Sequence, residues 1–366
     1  MLDFTSALYL GFRHPSRSLR PWPALSAGRP AALAEPPGAA PMARALAGLQ
    51  GCAAATLAAS TLHLYWDLIP ILAGDGTVAI HVDAAAYPIS GWGVERAACR
   101  GVPVRRFPHY DPASLQRGAA ACARRGLRPL VITDGVCPGC GRVAPLDRYL
   151  QVARRLGGWV VVDDTQALGM LGAAPGAAAP FGHRGGGSMR WHDIAGPELV
   201  VAASLAKGFG VPLAGLSGPA DLVGRFEAAS QTRTHCSPPS VAALCAAEHA
   251  FRLNRRHGDE LRFRLARLVR HFRHRLAGLG LSVSGGMFPV QTLAAAPGLP
   301  AQALHEHLIA RGIRSVLHQP HGAGGSRVGF ILTARHTHAD VDAAADALRE
   351  AVATPGRQPG GVPCPA

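Results

Sequence analysis

WVVVDDTQALGMLG (159–172) and, further along the chain, LVVAASLAKGFGVPLAGLSG (199–218) decide the fold. Each opens on a short apolar, β-branched run that stops on polar residues, Asp163-Asp164 in the first and Ser204 in the second. An uninterrupted apolar run of this length, bounded by turn residues, is the mark of a strand buried on both faces. Such strands belong to parallel sheets covered by helices. Working outward, comparable runs recur as VAIHV (78–82), VPVRRF (102–107), PLVIT (129–133) and LAGLSG (213–218). Helical stretches separate them: DPASLQRGAAACARR starts on Asp111, a capping residue, and APLDRYLQVARRLGG stops at Gly157 and Gly158. The spacing predicts an α/β fold with a mostly parallel central sheet in a large domain over 42–255.

Past that domain, DELRFRLARLVRHFRHRLAGLG (259–280) sets Leu261, Leu265, Leu268, Phe272 and Leu276 at helical spacing, with a solvated arginine face opposite. The strand-like pieces PVQTLA, IRSVL and RVGFIL alternate with helices starting at Ala301 and His338. Together they predict a small α+β C-terminal domain over 256–352, followed by a Pro/Gly-rich disordered tail, 353–366. The Ala-rich run from Cys52 to Ala73 reads as a buried helix, because His63, Asp67 and Pro70 interrupt it too often for a membrane span. HRGGGSMRWH (183–192) lacks the flanking strand and helix of a phosphate fingerprint and reads as a mobile surface loop.

Composition narrows the function. With 48% apolar and 16% charged residues in a chain of 366, there is ample core for a globular protein. The formal charge of +14 is spread along the chain and not gathered into a tail, which argues against a nucleic-acid partner. Eight cysteines are too sparse for a disulfide scaffold and point to a reducing compartment, the cytoplasm by default. No basic segment followed by an apolar one opens the chain, so no secretory signal is expected. Cys137-Pro-Gly-Cys140 has half the ligands of a zinc site, and only the sequence-distant His235 and Cys236 offer more. It reads as a tight turn with two free thiols, and no metal is expected.

Of 37 Lys and Arg residues only Lys207 is a lysine. Guanidinium keeps its charge, whereas an amine can lose its proton and condense with an aldehyde. Ligands of doubly wound sheets collect at the carboxyl ends of the strands, which is where both Asp163 and the Ser204-to-Lys207 turn fall. A pyridoxal 5'-phosphate (PLP) enzyme needs an amine for the aldehyde, a carboxylate to keep the pyridine nitrogen protonated, and donors for the phosphate. Lys207, Asp163 and Ser204 meet those needs. Asp163 by itself would read as a turn cap after a strand, and the lone lysine changes that reading.

VVVDDTQALGMLG (160–172) followed by ASLAKGFGVPLAGLSG (203–218) resembles the α-oxoamine synthase branch of the fold-type I aminotransferase superfamily, which includes 8-amino-7-oxononanoate synthase and 5-aminolevulinate synthase. RRFPHYDPASL, VITDGVCPGCGRVAPLDRYLQVA, HCSPPSVAALCAAEHA and ILTARHTHADVD resemble further family blocks in the expected order, so the likeness covers nearly the whole chain. It implies the PLP-dependent transferase fold of type I and a segment 1–41, from DFTSALYLGF onward, that forms an N-terminal arm over the active site. It also implies Lys207 as the catalytic Schiff-base lysine, Asp163 at the pyridine nitrogen and Ser204 at the phosphate. Ser60, Thr61 and Leu62 match the turn that presents backbone N–H groups to the phosphate. Tyr87 stands where the family has a histidine stacked on the cofactor ring, and Gln166 where a histidine approaches the ring oxygen. Gly329 falls at the arginine that clamps the substrate carboxylate, with Arg327 two residues earlier and on the same strand face. The resemblance implies a homodimer in which His235 or Thr234 reaches the neighbouring phosphate. The expected activity is condensation of an acyl-CoA or other acyl thioester with an amino acid; aminotransfer on the same fold is the first alternative, and a catalytically impaired binding or scaffold protein the second.

Overall fold

Seven of the strands join in one sheet in the computed structural model, which describes residues 1–74, 76–294, 300–318 and 325–353. They are β1 (Ala54–Ala58), β2 (Val78–Asp83), β3 (Val104–Phe107), β4 (Arg128–Asp134), β5 (Trp159–Asp163), β6 (Leu199–Ser204) and β7 (Ala214–Gly218). Their spatial order is β1-β7-β6-β5-β4-β2-β3. Strands β2 to β6 run parallel, β7 is antiparallel to β6, and β1 is antiparallel to β7. The expected mostly parallel α/β sheet is therefore present.

The apolar runs are continuous because both sheet faces are covered. Val160 and Val162 pack into a cluster with Leu115, Tyr149 and Leu150, from the helices Pro112–Ala123 and Leu146–Arg155. Val161, between them, packs on the other face with Leu64, Tyr65 and Leu68, from the helix Thr61–Ala73. Successive strand residues point to opposite faces, so a strand buried on both needs an apolar residue at every position. Each fully buried valine contributes on the order of 1.5–3 kcal/mol.

Two readings of local structure need correction. Cys52 to Ala73 is not one buried helix: Ala54–Ala58 is strand β1, paired with β7, and the helix begins at Thr61. Ser60 makes the break in extended conformation, with φ −155° and ψ 163°. The glycine-rich segment 183–192 is not a free surface loop either. Gly185 to Met189 are buried, and Ser188–His192 is a short helix. A Cβ at Gly187 would lie 1.9 Å from Asp164 Oδ2, and one at Gly185 would lie 2.6 Å from Arg262 Nη1. Those glycines are there for close packing.

The chain divides into two compact units: Leu10–Cys137 with Arg142–Phe263, and Met1–Tyr9 with Pro138–Gly141 and the described residues from Arg264 on. The larger holds the seven-stranded sheet. The smaller has a four-stranded antiparallel sheet, in the order Val316–His318, Arg327–Ile331, Val290–Leu293, Val283–Ser284, with helices Ala301–Ala310 and His338–Ala353. Leu2–Asp3 pairs parallel with Ile313–Arg314 in this same unit. The expected basic helix is the second part of a longer one, Val241–Ala277, and buries Leu265, Leu268, Phe272 and Leu276. Of the expected tail, Ala353 ends a helix and 354–366 lie outside the described residues. Among the described residues no helix is long and apolar enough to cross a membrane.

Candidate active site at the strand ends

Strands β2, β4 and β5 all finish on a buried carboxylate, Asp83, Asp134 and Asp163. Asp134 and Asp163 are register partners. Next to Asp163, β6 ends at Ser204, and the chain turns through Lys207 before returning as β7; Leu205 N–H closes that turn on Leu213 O at 2.8 Å. The parallel topology thus gathers the candidate amine and two carboxylates at one edge of the sheet.

The Asp163 carboxylate accepts the backbone N–H of Thr165 at 3.0 Å. Burial pushes its pKa up, against the lowering effect of Thr165 and of the Lys207 charge. The pKa of Asp134 is also pushed well up, by burial and then by the neighbouring Asp163 charge, while Tyr87 N–H, bonded to Oδ1 at 3.2 Å, opposes the shift. Burial pushes Lys207 below the usual lysine range, although Asp163 and Asp134 both favour its charged form. Its Nζ lies 5.8 Å from the centroid of the Tyr87 ring, which is half exposed. A carboxylate raised by burial favours a cation beside it, and an amine lowered by burial sheds its proton more readily. Both properties suit a site for a pyridinium and an aldehyde.

The fully buried Tyr65 hydroxyl neighbours Asp163 but completes no hydrogen bond among the described residues. A buried polar atom without a partner is uncommon, and this one stands beside the carboxylate expected at the pyridine nitrogen. Ser60 caps the helix Thr61–Ala73 without bonding its first-turn N–H groups through the side chain; its hydroxyl pairs instead with His63 Nδ1 at 2.7 Å. A long helix whose first turn is not side-chain capped suits an anion. Thr61 is buried there and Leu62 is exposed. At the end of β6, Ser204 Oγ accepts Ala206 N–H at 3.2 Å.

The sequence-predicted residues divide accordingly. Lys207, Asp163, Ser204 and Tyr87 meet at the strand ends, and Gln166 stands half-buried in the turn that follows Asp163. His235 is exposed and closes the short helix Gln231–His235. In the smaller unit, Arg327 is exposed at the start of its strand, across from His318. Gly329 is buried beneath that histidine: a Cβ at this position would lie 2.4 Å from His318 Nε2, so the place expected for an arginine is closed by another side chain.

Sequence reasoning missed Asp134, Tyr65 and Thr165. Asp134 ends its apolar run as Asp163 does, and that signal was available. Thr165 accepts the N–H of Ser204 at 3.0 Å, which only the pairing of β5 with β6 reveals. Asp164, adjacent to Asp163, faces away: it accepts Ser188 Oγ at 2.5 Å and Ser188 N–H at 3.0 Å.

Residues 67–348 match the family model of aminotransferase class I and II. The chain is 33% identical over 255 residues to 8-amino-7-oxononanoate synthase of Pseudomonas aeruginosa, covering 68% of this chain and 60% of the relative. With the Cupriavidus taiwanensis enzyme of the same name it is 32% identical over 268 residues, 71% of this chain and 63% of the relative. The chain thus spans a little under two thirds of the length of these curated relatives. Among solved structures, serine palmitoyltransferase of Sphingomonas wittichii superposes with a TM-score of 0.80 at 17% identity, over 95% of this chain and 86% of the other. The 8-amino-7-oxononanoate synthase of Francisella tularensis gives 0.76 at 16% identity, over 96% and 98%.

Proposed function

Since this chain belongs to the aminotransferase class I and II family, whose cofactor is PLP, we propose that it is an α-oxoamine synthase-like transferase that condenses an acyl thioester, such as an acyl-CoA, with an amino acid. Its fold is that of the PLP-dependent transferases of type I. The names of the curated relatives support acyl transfer over aminotransfer. The observation that carries the reading is that the chain's one lysine sits at the strand ends beside Asp163 and Asp134.

When bound, PLP supplies an electron sink for charge developing at the substrate α-carbon. Lys207 is the residue that would hold it. Asp163 would keep the pyridine nitrogen protonated, Tyr87 would cover the ring face and Gln166 would donate its amide to the ring oxygen. Ser204 and the N–H groups at Ser60, Thr61 and Leu62 would take the phosphate. As a free amine, Lys207 Nζ is the base that removes the α-proton, and burial favours that neutral form. The substrate carboxylate is assigned to Arg327, because residue 329 is glycine under His318. The working form is taken to be a cytoplasmic homodimer in which His235, exposed in one subunit, would reach the neighbouring phosphate. The first 41 residues are assigned to an arm.

The test has two steps. PLP added to the purified protein should give a visible band that borohydride bleaches, leaving a phosphopyridoxyl mass on the peptide containing Lys207. The loaded enzyme should then release free CoA from an acyl-CoA only with an amino acid present. Conversion of the amino acid to its keto acid without CoA release would make it an aminotransferase, and failure to bind PLP would favour the scaffold alternative.

A further inference from the structure

Strands β2 and β3 carry a cavity that the chemistry above does not use. His81 and Arg105 are register partners on these parallel strands, so their side chains project together from one sheet face. The helix Pro112–Ala123 covers that face, with Gly118 opposite the imidazole: a Cβ on Gly118 would lie 3.5 Å from His81 Nδ1 and Cε1. A cavity of about 430 Å³ opens here, lined among others by His81, Arg105, Arg106, Ser114, Arg117 and Gly118.

Three observations say what this cavity takes. His81 is only 1% exposed, and its Nε2 has no hydrogen-bond partner among the described residues. The side chains of Arg105 and Arg117 make no ion pair or hydrogen bond with any described group, and no carboxylate lines the cavity. Its volume is that of a small-molecule pocket and exceeds what a single ion fills. Guanidinium groups offer forked N–H donors that match phosphate oxygens, and a buried N–H without a partner is relieved by an acceptor.

We infer that this cavity binds the phosphate group of a small organic phosphate, held by Arg105, Arg117 and Ser114, with His81 donating from Nε2. Burial, and then the Arg105 charge, lowers the His81 pKa to about 4, so the ring is neutral near pH 7 and has one N–H to give. The groups facing it are Arg105 of β3, Ser114 and Arg117 on the covering helix, and Val131 on β4. A bound phosphate would therefore raise its titration midpoint.

The test uses the full-length protein saturated with PLP, so that the cofactor site takes no probe. Adenosine 3',5'-bisphosphate, pyrophosphate, sulfate and a short RNA are titrated calorimetrically at one ionic strength. The bisphosphate should bind, and Arg105→Gln with Arg117→Gln should weaken it by about a hundredfold. Arg124→Gln with Arg125→Gln, on exposed arginines outside the cavity and with the same change of charge, should leave affinity within about twofold. The His81 imidazole resonance should shift its titration upward with the bisphosphate. Pyrophosphate or sulfate binding as tightly as the bisphosphate would mean a site for inorganic ions only. Equal weakening in both double variants would mean bulk charge, and RNA binding tightest would mean a nucleic-acid surface. Each of these three outcomes overturns the inference.

Discussion

Thr165 Oγ1 accepts the backbone N–H of Ser204 at 3.0 Å, and this one bond ties the turn after Asp163 to the strand end that leads into Lys207. The same residue donates its own N–H to the Asp163 carboxylate at 3.0 Å. Thr165 therefore fixes the carboxylate and the approach to the amine relative to one another.

Replacing the hydroxyl by a methyl should separate them. Thr165→Val keeps the shape, leaves the Ser204 N–H without its acceptor and should destabilise the protein by about 1–3 kcal/mol. PLP affinity should fall with it, and Thr165→Ser should restore both. Urea unfolding and a PLP titration check this; unchanged affinity in the valine variant would show that Thr165 does not position the site.

Asp163→Asn should keep the fold, because it removes a buried charge that burial disfavours, while lowering turnover by two orders of magnitude or more, about 3 kcal/mol of transition-state stabilisation. Asp134→Asn should act more gently and lower the apparent pKa of Asp163, since the Asp134 charge lies beside it. The readouts are kcat and the pH dependence of the cofactor spectrum in each variant.

Arg262 is 1% exposed, donates to Gly169 O at 2.7 Å and Asn254 Oδ1 at 2.9 Å, and pairs with Asp259 at 2.6 Å. It anchors the segment running from Asp163 to the buried glycines. Arg262→Met should cost about 3–5 kcal/mol in unfolding free energy, as expected when one member of a buried charged network is lost. A change below about 1 kcal/mol in denaturant unfolding would refute that anchoring role.

His81 and Asp164 should oppose one another on the acid side. Burial lowers His81 to about 4 from 6.5, so between those values the unfolded chain binds the proton that the folded protein refuses, and stability falls as the pH drops. Asp164, raised by burial to about 6 from 3.8, holds a proton in the folded state that the unfolded chain has lost, and stability rises as the pH drops through that range. His81→Phe should therefore gain roughly 3 kcal/mol on the wild type between pH 7 and pH 4, read from denaturation midpoints at each pH.

The strands were legible because burial on both faces demands an apolar residue at every position, which leaves a dense local signal. Lys207 was legible for a compositional reason, standing alone among arginines. What escaped depends on distant partners. The glycines at 185–187 look like slack chain until Asp164 and Arg262 are seen packed against them. Thr165 looks like any turn residue until β6 lies beside β5. The strand Ala54–Ala58 reads as helix in the sequence because alanine favours helices; tertiary pairing with β7 outweighs that preference.

Because the only lysine is set back at the tip of the β6–β7 hairpin, amine chemistry and catalytic competence coincide in this protein. Acylating reagents have Lys207 as their only side-chain amine target and lysine-specific proteases have it as their only cleavage site, and a filled site shields it. The extent of labelling at Lys207 is thus a direct count of empty sites in any preparation, independent of knowing the substrate.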